Sequence, residues 1–283
     1  MDKLKMHTPD LAEENYKKLA ALFPDAVTET TDENGNTVRA IDKDVLMQEI
    51  NAKVVDDGAE TMEMALDMLR IAAEEGIRKI ILTPHQKADR KCVTPEGIVR
   101  RMGYLQEEAF KREIPIKLYP GNEIFYRHGL GELLEMGKIR TLADSRYILV
   151  EFLPGEDYSY IRDALSRLVS FGYWPIAAHV ERYLNVVRDL RKAEELKEDT
   201  GCYFQVNSAS VLGRHGMGER TVTRKLLKQG LIDFVGTDAH RNHGSRSPQL
   251  RECAEWLQKK IGREHMEKLL IVNPEAILED KVI

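Results

Sequence analysis

The chain has 283 residues, 42% of them hydrophobic, which is enough apolar material for one sizeable core with room for an appendage. Charged residues make up 31% and the net charge is −5, so the basic excess of a general nucleic-acid or membrane-surface binder is missing. Cys92, Cys202 and Cys253 lie far apart and form no Cys-x-x-Cys pair, which argues against a disulfide scaffold and fits a reduced cytoplasm. The opening stretch Met1-Asp2-Lys3-Leu4-Lys5-Met6-His7 has no apolar h-region, so no signal peptide is expected. No apolar run reaches bilayer-spanning length, so a cytoplasmic protein without membrane insertion is expected. Charge is unevenly placed: residues 1–50 hold 6 Lys/Arg against 11 Asp/Glu, and the remainder holds 36 of each. Two regions are read on this basis, an acidic leader over 1–53 and a main domain over 54–283.

In chain order, Leu11, Leu19, Ala20 and Leu22 predict a short helix over 10–22. Residues 28–36 are polar and end in Asn34-Gly35-Asn36, a strong turn signal, so a loop is expected there. A strand over 37–41 and a helix over 44–52 follow. From residue 54 onward a regular alternation begins. Thr61 can cap a helix with its apolar face at Met62, Ala65, Leu66, Leu69, Ala72 and Ala73, ended by Gly76. Strand 79–83 leads to helix 95–112, and strand 116–119 comes next. Strand 147–152 precedes helix 159–171, and strand 174–178 precedes helix 188–198. Strand 203–206 precedes helix 219–229, strand 233–236 precedes helix 248–261, and a last helix covers 274–280. This alternation predicts an α/β fold with a parallel sheet, and the number of units favours a closed βα barrel over an open sheet.

The chemistry sits where the strands end. Lys79-Ile80-Ile81-Leu82-Thr83 is followed by Pro84-His85, and Ile116 to Pro120 by Gly121-Asn122-Glu123. The remaining strands run into Glu151, His179, Asn207 and Asp238-Ala239-His240. In a parallel barrel these carboxyl ends converge on one face, where active sites are built. Three histidines, two glutamates and an aspartate gathered there make a mixed N/O set suited to zinc, manganese or iron. Any one of them alone reads as a hydrogen-bonded structural residue or a helix cap; their recurrence carries the argument. Asp238-x-His240 is the sharpest local signal, because alternation puts both side chains on one side of a strand end. His7, His128, His215, His243 and His265 have no such placement and read as surface residues. Arg182 and Arg246 have forks that match phosphate oxygens, although Arg246 taken alone reads equally as a surface ion pair. The loop from Gly213 to Gly218 could present amides to an anion, but a flexible loop is the simpler reading.

These residues in this order resemble the PHP (polymerase and histidinol phosphatase) superfamily, and within it the bacterial protein-tyrosine phosphatases tied to capsule and exopolysaccharide synthesis. The resemblance rests on Asp56-Asp57-Gly58-Ala59, Thr83-Pro84-His85, Pro120-Gly121-Asn122-Glu123-Ile124 and Leu149-Val150-Glu151-Phe152. It continues through Ala178-His179-Val180-Glu181-Arg182-Tyr183, Asn207-Ser208-Ala209-Ser210 and Thr237-Asp238-Ala239-His240. It implies a distorted βα barrel and a two- or three-ion cluster. The ligands would be Asp57, His85, Glu123, Glu151, His179, Asp238 and His240. Manganese is the metal expected, with iron, zinc and magnesium as alternatives, and Arg182 and Arg246 would hold the phosphate. The implied reaction is hydrolysis of phosphotyrosine on protein, with an autophosphorylating tyrosine kinase as the kind of partner and a homo-oligomer compatible with it. No cysteine sits in a Cys-x5-Arg loop, so a cysteine nucleophile is not expected.

The chain departs from that family at its start. The family opens on a strand carrying His-x-His shortly before the Asp-Asp-Gly, and here those places hold Gln48 and Ile50. The first strand is therefore read as absent or replaced. Residues 1–50 are instead similar to the amino terminus of type III restriction-modification methyltransferase subunits, through the first six residues and Thr28 to Gly35. No methyltransferase catalytic motif follows, so methylation is not expected. Asp42 and Asp44 could offer substitute carboxylates, although solvated surface residues are the simpler reading. Two rivals stay open: a catalytically impaired metal- or phosphate-binding module, and a phosphoesterase for small molecules of the histidinol phosphate kind.

Overall fold

A computed structural model describes residues 27–31, 37–41, 58–87 and 93–283. The chain divides into two compact units, one with the amino-terminal hairpin and the other with Glu63–Ile283. In the first, β1 (Val27–Thr31) pairs antiparallel with β2 (Thr37–Ile41), with Val27 opposite Ile41 and Thr31 opposite Thr37. The strand expected at 37–41 is present. The loop expected from residue 28 gives way to a strand up to Thr31, because β-branched Val27, Thr28, Thr30 and Thr31 suit a pleated ladder despite their polarity. The helices expected over 10–22 and 44–52, the Asn34-Gly35-Asn36 turn, Asp42, Asp44, Gln48, Ile50, Asp57 and Cys92 lie outside the described residues.

In the second unit the strands are β3 (Lys79–Leu82), β4 (His85–Gln86), β5 (Lys117–Pro120), β6 (Glu123–Phe125) and β7 (Tyr147–Glu151). β8 (Trp174–Ala177), β9 (Tyr203–Asn207) and β10 (Phe234–Gly236) complete them. They run parallel in the order β10-β9-β8-β7-β6-β4, with β3 beside β5, and curl into a half-barrel. β3 and β4 are halves of one run broken at Thr83-Pro84, and β5 and β6 are halves of another broken at Gly121-Asn122. Proline has no N–H to give to a ladder. Its carbonyl is used instead: Pro84 O accepts from Glu123 N at 3.2 Å and from Asn122 Nδ2 at 2.8 Å. A Cβ on Gly121 would stand 3.0 Å from side-chain methyls of both Ile81 and Leu142, so any larger residue at the break would need both to shift. The expected strands end at these breaks; their resumption was not foreseen.

Alternation sorts each strand into two faces. Ile148, Val150, Ala177, Phe204, Val206 and Val235 face the helical layer and pack with Ile161, Leu165, Leu168, Leu226 and Leu257. Tyr147, Leu149, Trp174, Ile176, Tyr203 and Phe234 form a second cluster on the opposite face. There the Tyr147 ring meets Trp174 at 4.9 Å, Tyr203 at 5.5 Å and Phe234 at 6.2 Å. This inner face is aromatic at the amino ends of the strands. Four residues beyond Tyr147 and Tyr203, at Glu151 and Asn207, it is polar.

The helices follow the expected periodicity with ends shifted by up to three residues. Met62–Glu74 buries Ala65, Leu66, Leu69 and Ala72, and Pro95–Lys111 is capped by Thr94, whose Oγ1 accepts from Gly97 N at 3.1 Å. Tyr158–Ser170 buries Ile161, Ala164, Leu165 and Leu168 against the sheet. Leu165 is 0% exposed, so Leu165→Ala should lower stability by about 2–5 kcal/mol, read as a lower urea midpoint at unchanged slope. The glycine segment after Leu212 is a short turn between Ser208–Leu212 and Met217–Lys228, and a Cβ on Gly213 would strike the Arg220 side chain. No helix among the described residues is long and apolar enough to cross a membrane.

Candidate metal centre

The strand breaks and strand ends place the polar groups. His85 opens β4 and Glu123 opens β6, paired in register immediately after the two breaks. Glu151 closes β7, and His179 follows β8. His179 Nε2 lies 2.9 Å from Glu123 Oε1 and 3.4 Å from Glu151 Oε1, and His85 Nε2 lies 3.9 Å from Glu123 Oε2. Candidate ligand atoms of His85, Glu123 and Glu151 all fall within 4.8 Å of one another. Lys87 Nζ approaches Glu151 Oε2 to 3.9 Å, a contact the sequence had not suggested.

A second group adjoins the first, the His85 and His240 rings standing 5.7 Å apart. Asp238 Oδ2 accepts from Asn207 Nδ2 at 2.9 Å and from Arg182 Nη2 at 3.4 Å. His240 Nδ1 lies 2.8 Å from the Asp238 carbonyl. A carbonyl only accepts, so Nδ1 carries the proton and Nε2 is the nitrogen able to bind a metal. His179 (φ 36°) and Asp238 (φ 50°) both take the left-handed conformation, uncommon outside glycine and recurrent at functional sites.

Electrostatics identify what the first group lacks. Burial pushes the His179 imidazole pKa down, but hydrogen bonds to the Glu123 and Glu151 carboxylates outweigh it and raise it to about 10. Burial pushes Glu151 up, and its hydrogen bond to His179 with the nearby positive charge reverses this, leaving it below the usual carboxylate range. Buried Glu123 and half-buried Glu151 thus share one imidazole as a cation. Even so, Glu151 Oε2 and His179 Nδ1 are buried without a hydrogen-bond partner among the described residues. Converging carboxylates and imidazoles, two of whose buried polar atoms have no partner among the described residues, are a donor set that fits a divalent cation of the manganese, iron or zinc kind.

Of the residues singled out in the sequence, His85, Glu123, Glu151, His179, Arg182, Asp238 and His240 are brought together. Asp57 lies outside the described residues, while neighbouring Gly58 is tied to the site loop by Arg241, whose Nη1 donates to Gly58 O at 2.5 Å. Arg246 meets this loop through its backbone: its carbonyl accepts from His240 N at 2.8 Å and Arg241 N at 3.1 Å. His128 and His243 are exposed as expected. His215 is half-buried, 3.4 Å from Ser210 Oγ and 3.6 Å from Glu219. Glu181 and Gln205 were missed. Glu181 is 2% exposed, with its carboxyl pKa raised by burial, and its Oε1 accepts from Asn207 N at 3.0 Å. The usable signal was polarity inside otherwise apolar strand-end segments.

The model of the family described as capsular polysaccharide synthesis, CpsB/CapC, matches residues 50–279. Tyrosine-protein phosphatase CpsB of Streptococcus agalactiae serotype III is 30% identical over 235 residues, 81% of this chain and 96% of that protein. Tyrosine-protein phosphatase YwqE of Bacillus subtilis is 30% identical over 229 residues, 81% of this chain and 89% of its own length. A crystal structure from work on YwqE of B. subtilis and CpsB of Streptococcus pneumoniae, described as metal-dependent tyrosine phosphatases, superposes with a TM-score of 0.77. It is 29% identical, over 83% of this chain and 94% of the other.

Proposed function

The chain belongs to the CpsB/CapC family of capsular polysaccharide synthesis proteins, and on that premise we propose that it hydrolyses phosphotyrosine on protein with bound divalent metal. The observation that carries this reading is the convergence of His85, Glu123, Glu151 and His179, with two buried polar atoms unpartnered among the described residues. Those four would hold one ion, and Asp238 and His240, with Asp57, would complete a second position. Manganese is the metal proposed, with iron, zinc and magnesium behind it. Bound there, such ions lower the pKa of water towards neutrality and offset charge on a phosphoryl group.

The protein's own groups do the rest. Arg182, 29% exposed at its side chain, directs a guanidinium towards Asp238 and is placed to donate hydrogen bonds to phosphoryl oxygens at the rim. Arg246 is proposed to do the same from the loop after His240. A tyrosine phenolate leaves with a pKa of about 10, so little proton donation is required. Neither described cysteine competes as a nucleophile: burial pushes both Cys202 and Cys253 thiols up to about 12. The proposed substrate is a tyrosine-phosphorylated protein of capsule or exopolysaccharide synthesis, such as an autophosphorylating kinase, met in the cytoplasm.

One observation favours a second reading, a binding module with impaired turnover. No histidine lies between His7 and His85, so nothing there supplies the family's His-x-His. Purified protein given a phosphotyrosine peptide and Mn²⁺ separates the two. The expected result is turnover that EDTA abolishes and Mn²⁺ restores. Metal uptake without turnover, from folded protein, would support the binding module and sink the hydrolase.

A further inference from the structure

Gln205 stands in the middle of β9, on the same face as Asn207 at its end. It is half-buried, and two of its three amide hydrogen bonds go to residues of the proposed centre. Its Oε1 accepts from the backbone N of His179 at 2.6 Å. Its Nε2 donates to Asn207 Oδ1 at 2.9 Å and to Val206 O at 2.9 Å. The first bond secures the backbone of His179, a non-glycine residue held in the left-handed region. The second fixes which way the Asn207 amide faces. With its oxygen occupied by Gln205, Asn207 has only its NH2 left for Asp238, and Nδ2 donates to Asp238 Oδ2 at 2.9 Å. Asn207 is 0% exposed, and its backbone N is taken up by Glu181, so it has no room to turn elsewhere.

We infer that Gln205 is a positioning residue that locks the two halves of the centre into one geometry, holding His179 on one side and, through Asn207, Asp238 on the other. An independent observation supports this. A Cβ on Gly236 of β10 would stand 2.8 Å from Gln205 Nε2, so the neighbouring strand has kept open the space this amide occupies. The inference rests on the function proposed above, because it takes His179 and Asp238 to be metal ligands.

The test compares Gln205→Met with the parent. Methionine keeps the length of the side chain and removes all three bonds. Mn²⁺ affinity is measured by calorimetric titration of folded protein, and kcat and KM on a phosphotyrosine peptide are measured beside it. Loss of an outer-sphere partner of this kind costs about tenfold to a hundredfold in metal affinity or activity. The expected result is a weakening of Mn²⁺ binding within that range, with kcat falling and KM little changed. If Gln205→Met does not fold, Gly236→Ala displaces the same amide while leaving Gln205 in place, and a weakening of at least about threefold in Mn²⁺ binding is expected. A purely structural role would lower the melting temperature and leave the affinity of the folded fraction alone, and that result overturns the inference. Unchanged affinity and kcat in either folded variant overturns it too. A parent that takes up no Mn²⁺ overturns the metal-centre reading itself, and this inference with it.

Discussion

His179→Ala will remove Mn²⁺-dependent hydrolysis of a phosphotyrosine peptide, by more than the roughly hundredfold upper range for losing an outer-sphere partner. His179 is 4% exposed and makes the two shortest contacts of the cluster, 2.9 Å to Glu123 and 3.4 Å to Glu151. Without the imidazole, the Glu123 and Glu151 carboxylates lose their shortest cationic contact, and among the described residues Lys87, 3.9 Å from Glu151, and His85, 3.9 Å from Glu123, are left beside them. Like charges at such range do not both stay ionised, so one takes up a proton and becomes a poorer metal ligand. The defect therefore falls on metal uptake first and on chemistry through it. Calorimetric titration with Mn²⁺ should show the tightest binding event gone, while His265→Ala, at a half-buried histidine outside the cluster, should titrate like the parent. Retained tight binding in His179→Ala would remove His179 from the ligand set and leave it as a hydrogen-bonding residue.

How much of this could be read from the sequence depended on whether the signal was local. The helices and strands from Met62 onward were legible because their apolar periodicities, 3.6 and 2, are set by burial against one sheet. The polar residues at the strand ends were legible for the same reason, since a parallel half-barrel has one face where such groups can gather without being orphaned. The breaks at Pro84 and Gly121-Asn122 were not. Their logic lies between strands, in a proline carbonyl that accepts from Asn122 and Glu123, and no single segment contains it. β1 was hidden because Val27–Thr31 is polar on its own and gains strand character only from its partner. Gln205 was passed over because it looks like an isolated polar residue in an apolar run, and Glu181 because it stands between His179 and Arg182, which drew the notice. Their meaning appears only when His179, Asn207 and Asp238, distant in sequence, are seen to share them. Arg182 was legible as a phosphate-type arginine and Asp238 as a candidate ligand, but the contact between them was not.

That contact makes Arg182 the site of the second large effect. Arg182→Ala is expected to lower kcat/KM by roughly a hundredfold to a thousandfold, the range for removing one preorganised donor aimed at developing charge. Arg182→Lys should fall between the two, because it keeps the charge and loses the fork. The 3.4 Å contact to Asp238 admits a different cause, in which the arginine merely holds a ligand in place. The two causes differ in what they do to the metal. Asp238 Oδ2 keeps its 2.9 Å bond from Asn207 when Arg182 is gone, so a ligand-holding role is largely covered by that amide. Mn²⁺ affinity should then stay within about threefold of the parent, well short of the loss for an outer-sphere partner, while inhibition by inorganic phosphate weakens in step with the loss of kcat/KM. Normal phosphate inhibition with poor metal uptake would assign Arg182 to Asp238 instead of the substrate. The transition state would then have to be met by other cations near the rim, with Lys87 beside Glu151 the first to examine.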